Sequence, residues 1–346
     1  MFVGERCTYN KTVTTEDSRV KLFCLTAPAG GYTLRSVLVD TSLKRAGPGV
    51  AVSVARRGDR RRTTDRNPVD IERILAARAP EALKRLPPGV LHLVRLAAHE
   101  SRVNARLNAT GDLDPLEFCL ASLRRLSVQL NVRHEEYLAH TARPVVCCNH
   151  PSGGLEGLAM IAAIYGSHGD CRIPANDLLR VIPPLAPLII PVNRSQPTRA
   201  AAIELDRAFA GDVPILVFPA GVTARIYGGR LREYPWAATF VTRARRYDRP
   251  VVPVHASGRN SPHFYLIHQL RRVFGIRLNL EMFLLADELF RHQGDTITLT
   301  CLPPQRVRSG DGPRRERSEI RMADRIFAET LRRSVEAAGR SGGTHG

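Results

Sequence analysis

From about residue 140 onward, short apolar runs alternate with longer stretches of helical spacing. The runs Val145 to Cys148, Leu188 to Val192, Ile215 to Phe218, Val251 to Val254 and Thr296 to Cys301 read as strands, because brief, nearly continuous apolar segments bounded by turn residues suit strands covered on both faces. Their alternation with helical patterns predicts an α/β fold, a mixed or mainly parallel sheet covered by helices. An α-helical N-terminal lead precedes it. Its first helix is predicted to begin near Pro68 to Leu75, with proline in the first turn, and a second to run near Val90 to Leu96. A third begins near Asp114 and Pro115, where Leu116, Leu120, Leu123 and Leu126 recur at helical spacing with Arg124 and Arg125 between them. A last helix is expected from about Glu316 to Ala338, ended by Gly339, Gly342 and Gly343. Residues 1 to about 66 show no sustained periodicity and end in an arginine-rich stretch, Arg56 to Arg66, which reads as a disordered or non-native basic extension. The expected division is therefore 1–66 extension, 67–140 helical lead, 141–306 α/β core and 307–346 basic C-terminal helix and tail. No internal repeat is found.

Composition narrows the setting. A chain of 346 residues with 43% hydrophobic positions is long enough for a sizeable core and too apolar for a disordered protein. Its seven cysteines form no C-x-x-C pair, and Cys147 and Cys148 adjoin inside an apolar strand. The odd count and buried positions point to reduced thiols and no zinc site, and no metal is expected. The formal charge of +18 calls for an anionic partner, nucleic acid or an anionic membrane surface. Aromatics are only 6%, with no aromatic-basic interleaving, so nucleic acid is not expected. No apolar run is long enough to span a bilayer and no secretory leader pattern opens the chain, so the expected contact with a membrane is peripheral.

The candidate chemistry lies in Asn149-His150-Pro151-Ser152-Gly153-Gly154-Leu155-Glu156-Gly157. This segment joins one apolar run to another and reads as strand, tight glycine turn, helix. A histidine beside a carboxylate can take a proton from a hydroxyl while the carboxylate fixes the ring tautomer and steadies the imidazolium. On a regular helix six residues would set the two side chains about 240° apart, so the glycines must fold the segment back for His150 to meet Glu156. Ser152 is not in the G-x-S-x-G setting that exposes a nucleophile, which argues against a serine hydrolase. Arg194 and Arg225, at strand or loop ends, could hold a phosphate or other acidic head group through forked hydrogen bonds, or be solvated surface charges.

Taken in order, four motifs resemble those of the glycerolipid acyltransferase superfamily, which includes lysophosphatidate acyltransferases, and most of all a bacterial branch labelled hemolysin-like. Asn149 to Gly157 is similar to N-H-P-x-G-G-L-D-G; Ile190-Pro191-Val192-Asn193-Arg194 stands at a second, proline-bounded motif with a basic residue. Phe218-Pro219-Ala220-Gly221-Val222-Thr223-Ala224-Arg225 resembles F-P-A-G-E-x-x-R, and Pro250 to Val254, with Gly258-Arg259-Asn260-Ser261 after it, stands at the fourth. The likeness covers roughly residues 85 to 305. It implies His150 as general base with Glu156 as its orienting acid, and substrate contacts at Asn149, Gly153, Gly154, Arg194, Phe218, Pro219, Gly221 and Arg225. It also implies no bound cofactor, a coenzyme A or acyl-carrier-protein thioester as co-substrate, a lysolipid acceptor, and work at the cytoplasmic face of a membrane. Two departures stand out. Glu156 replaces the family's aspartate, and neither Val222 nor Ala220 offers the carboxylate found in the third motif. That second loss keeps one alternative open, a non-catalytic lipid-binding protein on the same fold.

Overall fold

A computed structural model of the chain describes residues 11–14, 19–26, 33–40, 67–192, 198–227, 230–273, 283–307 and 317–341. They fall into two units, which meet in sequence at Arg66 and Asn67. In the first, strands β1 (Lys11–Thr14), β2 (Arg19–Thr26) and β3 (Thr33–Asp40) form an antiparallel meander, with Val20 opposite Val39 and Leu22 opposite Val37. Strands thus occupy part of the stretch that the sequence pattern assigned to a disordered extension, while the arginine-rich segment 56–66 lies outside the described residues.

The second unit opens with helices α1 (Ile71–Arg78), α2 (Pro80–Arg85), α3 (Pro88–Ala97), α4 (Glu100–Thr110) and α5 (Pro115–Arg125). Asp70, not Pro68, starts α1: its side chain accepts from the Arg73 N–H at 3.0 Å, and the proline lies ahead of the helix. Asp114 and Glu117 form a reciprocal capping box on α5, with Pro115 in the first turn. Ile71, Leu75, Ala98 and Phe283 make a small core among the first helices.

The order continues through β4 (Gln129–Arg133), α6 (Glu136–Ala139), β5 (Val145–Cys148), α7 (Leu155–His168), β6 (Ile173–Ala175), β7 (Ile189–Pro191), α8 (Arg199–Ala210) and β8 (Ile215–Val217). After these come β9 (Arg225–Tyr227), β10 (Arg230–Arg232), α9 (Thr239–Arg246), β11 (Val251–Ala256), α10 (Pro262–Val273), α11 (Leu285–Arg291), β12 (Thr296–Cys301) and α12 (Arg317–Ser341). The main sheet runs β4-β12-β11-β5-β8, parallel throughout except between β11 and β12. This is the mixed, mainly parallel sheet that the alternation predicted. The strand expected at Leu188 to Val192 forms as β7 but leaves this sheet and pairs with β6, Ile173 opposite Ile189.

Alternate residues of each strand serve opposite faces. Val145, Cys147, Ile215, Val217 and Val251 join Phe209 of α8, Phe240 and Val241 of α9, and Ala328, Leu331 and Val335 of α12 in one core. On the α7 side, Leu155, Leu158, Met160, Ile161 and Ile164 are all buried, and α7 packs on α5 and β12. The last helix runs past Gly339 to Ser341 rather than ending there. Gly339 serves close approach instead, since a Cβ at this position would lie 2.3 Å from His255 Nε2 on β11.

Candidate active site

β5, an inner strand between β11 and β8, carries the chain into the turn Asn149 to Gly154, and α7 leads it away. Gly153 sits at φ +94°, a conformation that a side chain strains. A Cβ there would also come within 2.7 Å of Thr223 Cγ2 and 2.8 Å of Leu285 Cδ2. The turn therefore requires glycine both for its dihedral and for room. The reversal brings the two predicted partners together: His150 Nδ1 lies 2.8 Å from Glu156 Oε1, with the imidazole 18% exposed and the carboxylate fully buried. The contact is bent, since no acceptor lies in line with Nδ1, and such bonds often align only once substrate is seated.

Glu156 does more than face the histidine. Its Oε1 accepts the backbone N–H of Ser152 at 3.1 Å and of Gly153 at 2.7 Å, and its Oε2 accepts the Ser152 hydroxyl. Burial pushes this carboxyl up, but His150, Ser152 and Gly153 together outweigh it and hold the group down at about 2. Glu156 is thus an ionised carboxylate fixed by three donors and poised against one imidazole. Neighbouring nucleophiles are silent. The Ser152 hydroxyl is buried and committed to Glu156, and burial pushes the Cys148 thiol well above its ordinary range, with the Glu156 and Glu233 charges adding to the effect.

The other predicted residues divide. Phe218 lies over the His150 ring, centroids 4.5 Å apart and planes 32° from parallel. Gly221, at φ +68°, closes a turn by donating to the Phe218 carbonyl at 2.9 Å, and the Pro219 carbonyl accepts from Ala237 N–H at 3.1 Å. Gly154 is the residue before α7. Asn149 is a brace between strands: its Nδ2 donates to the Ala256 carbonyl at 2.9 Å and its Oδ1 accepts the Ala256 N–H at 2.6 Å. Arg225 is buried, its Nη1 donating to the Thr223 carbonyl and hydroxyl and to the Ala224 carbonyl, its guanidinium 4.6 Å from the centre of the Phe264 ring. These contacts tie it to its own turn rather than to an open anion site. Arg194 lies outside the described residues.

The sequence reading missed Glu233. One of its oxygens accepts the His150 N–H and the other accepts the Trp236 indole N–H at 2.8 Å. The one available signal is its place three positions before the chain's single tryptophan, which no periodicity marks. A cleft of about 1260 Å³ opens beside the turn, lined by Asn149, Pro151 and Glu233 together with Arg271 and Arg272 of α10 and Arg332 and Arg340 of α12. Arg332 is paired with Glu329 and Glu336. Glu329 and Glu336 line the cleft as well, so its wall mixes arginines with carboxylates, and the arginines suit phosphate or carboxylate groups.

A family model described as Acyltransferase matches residues 73–337. Two lyso-glycine lipid O-acyltransferases, from Phocaeicola vulgatus and Bacteroides thetaiotaomicron, are 34% and 32% identical over 239 residues, spanning 68% of this chain and 85% and 88% of theirs. Among solved structures, the 1-acyl-sn-glycerophosphate (LPA) acyltransferase PlsC of Thermotoga maritima aligns with 71% of this chain and 95% of its own, at 14% identity and a TM-score of 0.38.

Proposed function

Since the chain belongs to the acyltransferase family, a branch of the glycerolipid acyltransferase superfamily, we propose that it moves a fatty acyl group from a coenzyme A or acyl-carrier-protein thioester to the hydroxyl of a lysolipid at a membrane surface. The observation that carries this reading is the His150–Glu156 pair, 2.8 Å apart on a glycine turn beside the cleft. In this scheme His150 Nε2 takes the hydroxyl proton as the oxygen attacks the thioester carbonyl. Glu156 holds Nδ1–H and steadies the imidazolium. The tetrahedral intermediate collapses with loss of the C–S bond, and the departing thiolate takes the proton back from His150. Of the two turn amides, Gly153 N–H is already given to Glu156, so Gly154 N–H is the one assigned to the oxyanion.

Two features bear on the acceptor and the surface. The carboxylate absent at Val222 argues for an acceptor other than lysophosphatidate, and the relatives' lyso-glycine lipid, with its own acid group, meets the arginine-lined cleft. Leu266, Leu270 and Val273 share one face of α10 and are 55%, 45% and 79% exposed, a short apolar stripe that complements the basic charge at an anionic bilayer. No helix among the described residues is long and apolar enough to cross a membrane.

The test is a thiol-release assay with acyl-CoA and with acyl-carrier protein, using vesicles that contain lyso-glycine lipid or lysophosphatidate, with the acylated product followed in parallel. Wild type should turn over the lyso-glycine lipid better than lysophosphatidate, and His150→Ala should lose about 10²- to 10⁴-fold. Vesicle binding without thiol release from either donor, unchanged in His150→Ala, would establish the non-catalytic lipid-binding alternative.

A further inference from the structure

The main chain of His150 is held at both ends. Its N–H is taken by Glu233, and its carbonyl accepts the Ala224 N–H at 2.9 Å. Glu233 is itself anchored from the core, because Trp236, which holds its second oxygen at 2.8 Å, is buried edge-on to Phe240 with ring centroids 6.4 Å apart. The same carboxylate lines the cleft beside Asn149 and Pro151. Accepting both donors takes a carboxylate, since a neutral amide has one acceptor oxygen, and the charge that comes with it is held near His150 despite the cost of taking it out of water.

We propose that Glu233 is a positioning residue for the transfer: it fixes the His150 main chain as Glu156 fixes its ring, and it sets a second negative charge beside the imidazole, in a chain whose third motif lacks its own carboxylate at Val222. The inference rests on His150 acting as the base. Burial, with the Glu336 charge adding to it, leaves the Glu233 carboxyl above its ordinary value, although the His150 N–H, the Trp236 indole and the His150 charge draw it part of the way back. The titratable groups that face it are His150 on the turn, Glu336 and Arg332 on α12, and Cys148 at the end of β5.

The experiment compares full-length wild type, Glu233→Gln, Glu233→Asp, Trp236→Phe and His150→Ala, reading kcat, KM and the pH profile of thiol release from acyl-CoA onto lyso-glycine lipid in vesicles, with thermal melts alongside. A glutamine can accept from only one of the two donors and carries no charge. Glu233→Gln should lower kcat by about tenfold to a hundredfold, the scale of a small misplacement of a catalytic group, with KM for both substrates little changed. Its acid limb should move to lower pH, because the imidazolium has lost a counter-charge. Glu233→Asp should recover part of kcat with the limb at its wild-type position. Wild-type kcat and an unmoved limb in Glu233→Gln, or a lowered melting temperature alone, would overturn the proposal and leave Glu233 a fold-stabilising carboxylate. Should Glu233→Gln not fold, Trp236→Phe decides: a severalfold fall in kcat at unchanged KM supports the role, and wild-type kcat overturns it. Activity retained in His150→Ala, or none in wild type, would remove the underlying reading and this inference with it. A dead His150→Ala beside a fully active Glu233→Gln would remove this inference alone.

Discussion

Glu156→Gln isolates the charge of the acid from its hydrogen bonds. In the structure, Oε1 receives the Ser152 and Gly153 amides and faces His150 Nδ1 at 2.8 Å, while Oε2 receives only the Ser152 hydroxyl. A glutamine with its carbonyl oxygen at Oε1 keeps the first three partners, and its amide nitrogen meets a hydroxyl that can rotate to accept. The turn and the histidine tautomer should therefore survive, and only the charge is lost. At 2.8 Å and an effective dielectric of about 20, that charge is worth up to about 6 kcal/mol to an imidazolium, an upper bound because part is returned in relieved burial of the carboxylate. Half to most of that bound is about 3–5 kcal/mol, or about 10²- to 10⁴-fold in kcat. The measurement is single-turnover thiol release at saturating acceptor, with circular dichroism and melting to verify the fold. Glu156→Asp, which keeps the charge, should stay within about tenfold of wild type, the cost of an imperfectly placed group. A Glu156→Gln enzyme within about threefold of wild-type kcat, far under the 10²-fold minimum expected from a lost partner charge, would refute the couple and leave Glu156 a cap at the start of α7.

Gly153→Ala should lose about 1–3 kcal/mol of stability and most activity, because strained backbone and the collision with Thr223 act together; a crystal structure with an unmoved turn would contradict this. Gly339→Ala should lower the melting temperature by driving α12 off His255, and the loss should shrink in a His255→Ala background, which a double-mutant cycle reads directly. Glu156 is depressed to about 2 from 4.5, so its contribution to stability is present above about pH 4.5 and is lost as pH falls towards 2; acid titration of Glu156→Gln should lack that component. Binding to anionic vesicles should weaken steeply between 0.1 M and 1 M salt, as the screening length falls from about 10 Å to about 3 Å, and Leu266→Ser with Leu270→Ser should remove the salt-resistant remainder.

The inner strands were legible because β5, β8 and β11 are short apolar runs buried along nearly their whole length. β4 was not, since Gln-Leu-Asn-Val-Arg sits at the sheet edge with its ends exposed and offers no such run. Gly339 shows the limit of local rules: a glycine late in a helical pattern reads as a terminator, and only the approach of β11 reveals that it is there for room. The same limit governs the site. His150 and Glu156 are close in sequence, and the glycine turn between them announces the reversal. Glu233 lies 83 residues from His150, and Asn149 lies 107 from the Ala256 backbone that it braces. Pairings at that distance leave no periodic trace. Arg225 could not be told from a solvated arginine without the Phe264 ring that covers it.

The substitution of glutamate for the family's aspartate gains a physical account from these contacts. One more methylene lets the Glu156 carboxylate fold back over the first turn of α7, where it takes both the Ser152 and Gly153 amides as well as the imidazole. Those amides stand at the positive end of α7, where a negative charge is favoured, and His150 first, then the Ser152 hydroxyl and the Gly153 amide, keep the acid ionised although it is wholly buried. The turn then has little freedom left. Phe218 covers one side of the ring, Glu233 and Ala224 hold the main chain, and Thr223 and Leu285 leave Gly153 no space for a side chain. An imidazole held this firmly would, in the proposed role of base, lose little by way of reorganisation on accepting a proton, which is the condition under which fixed dipoles and charges lower a barrier. Changes that loosen the frame without touching the imidazole should therefore act on kcat before they act on KM.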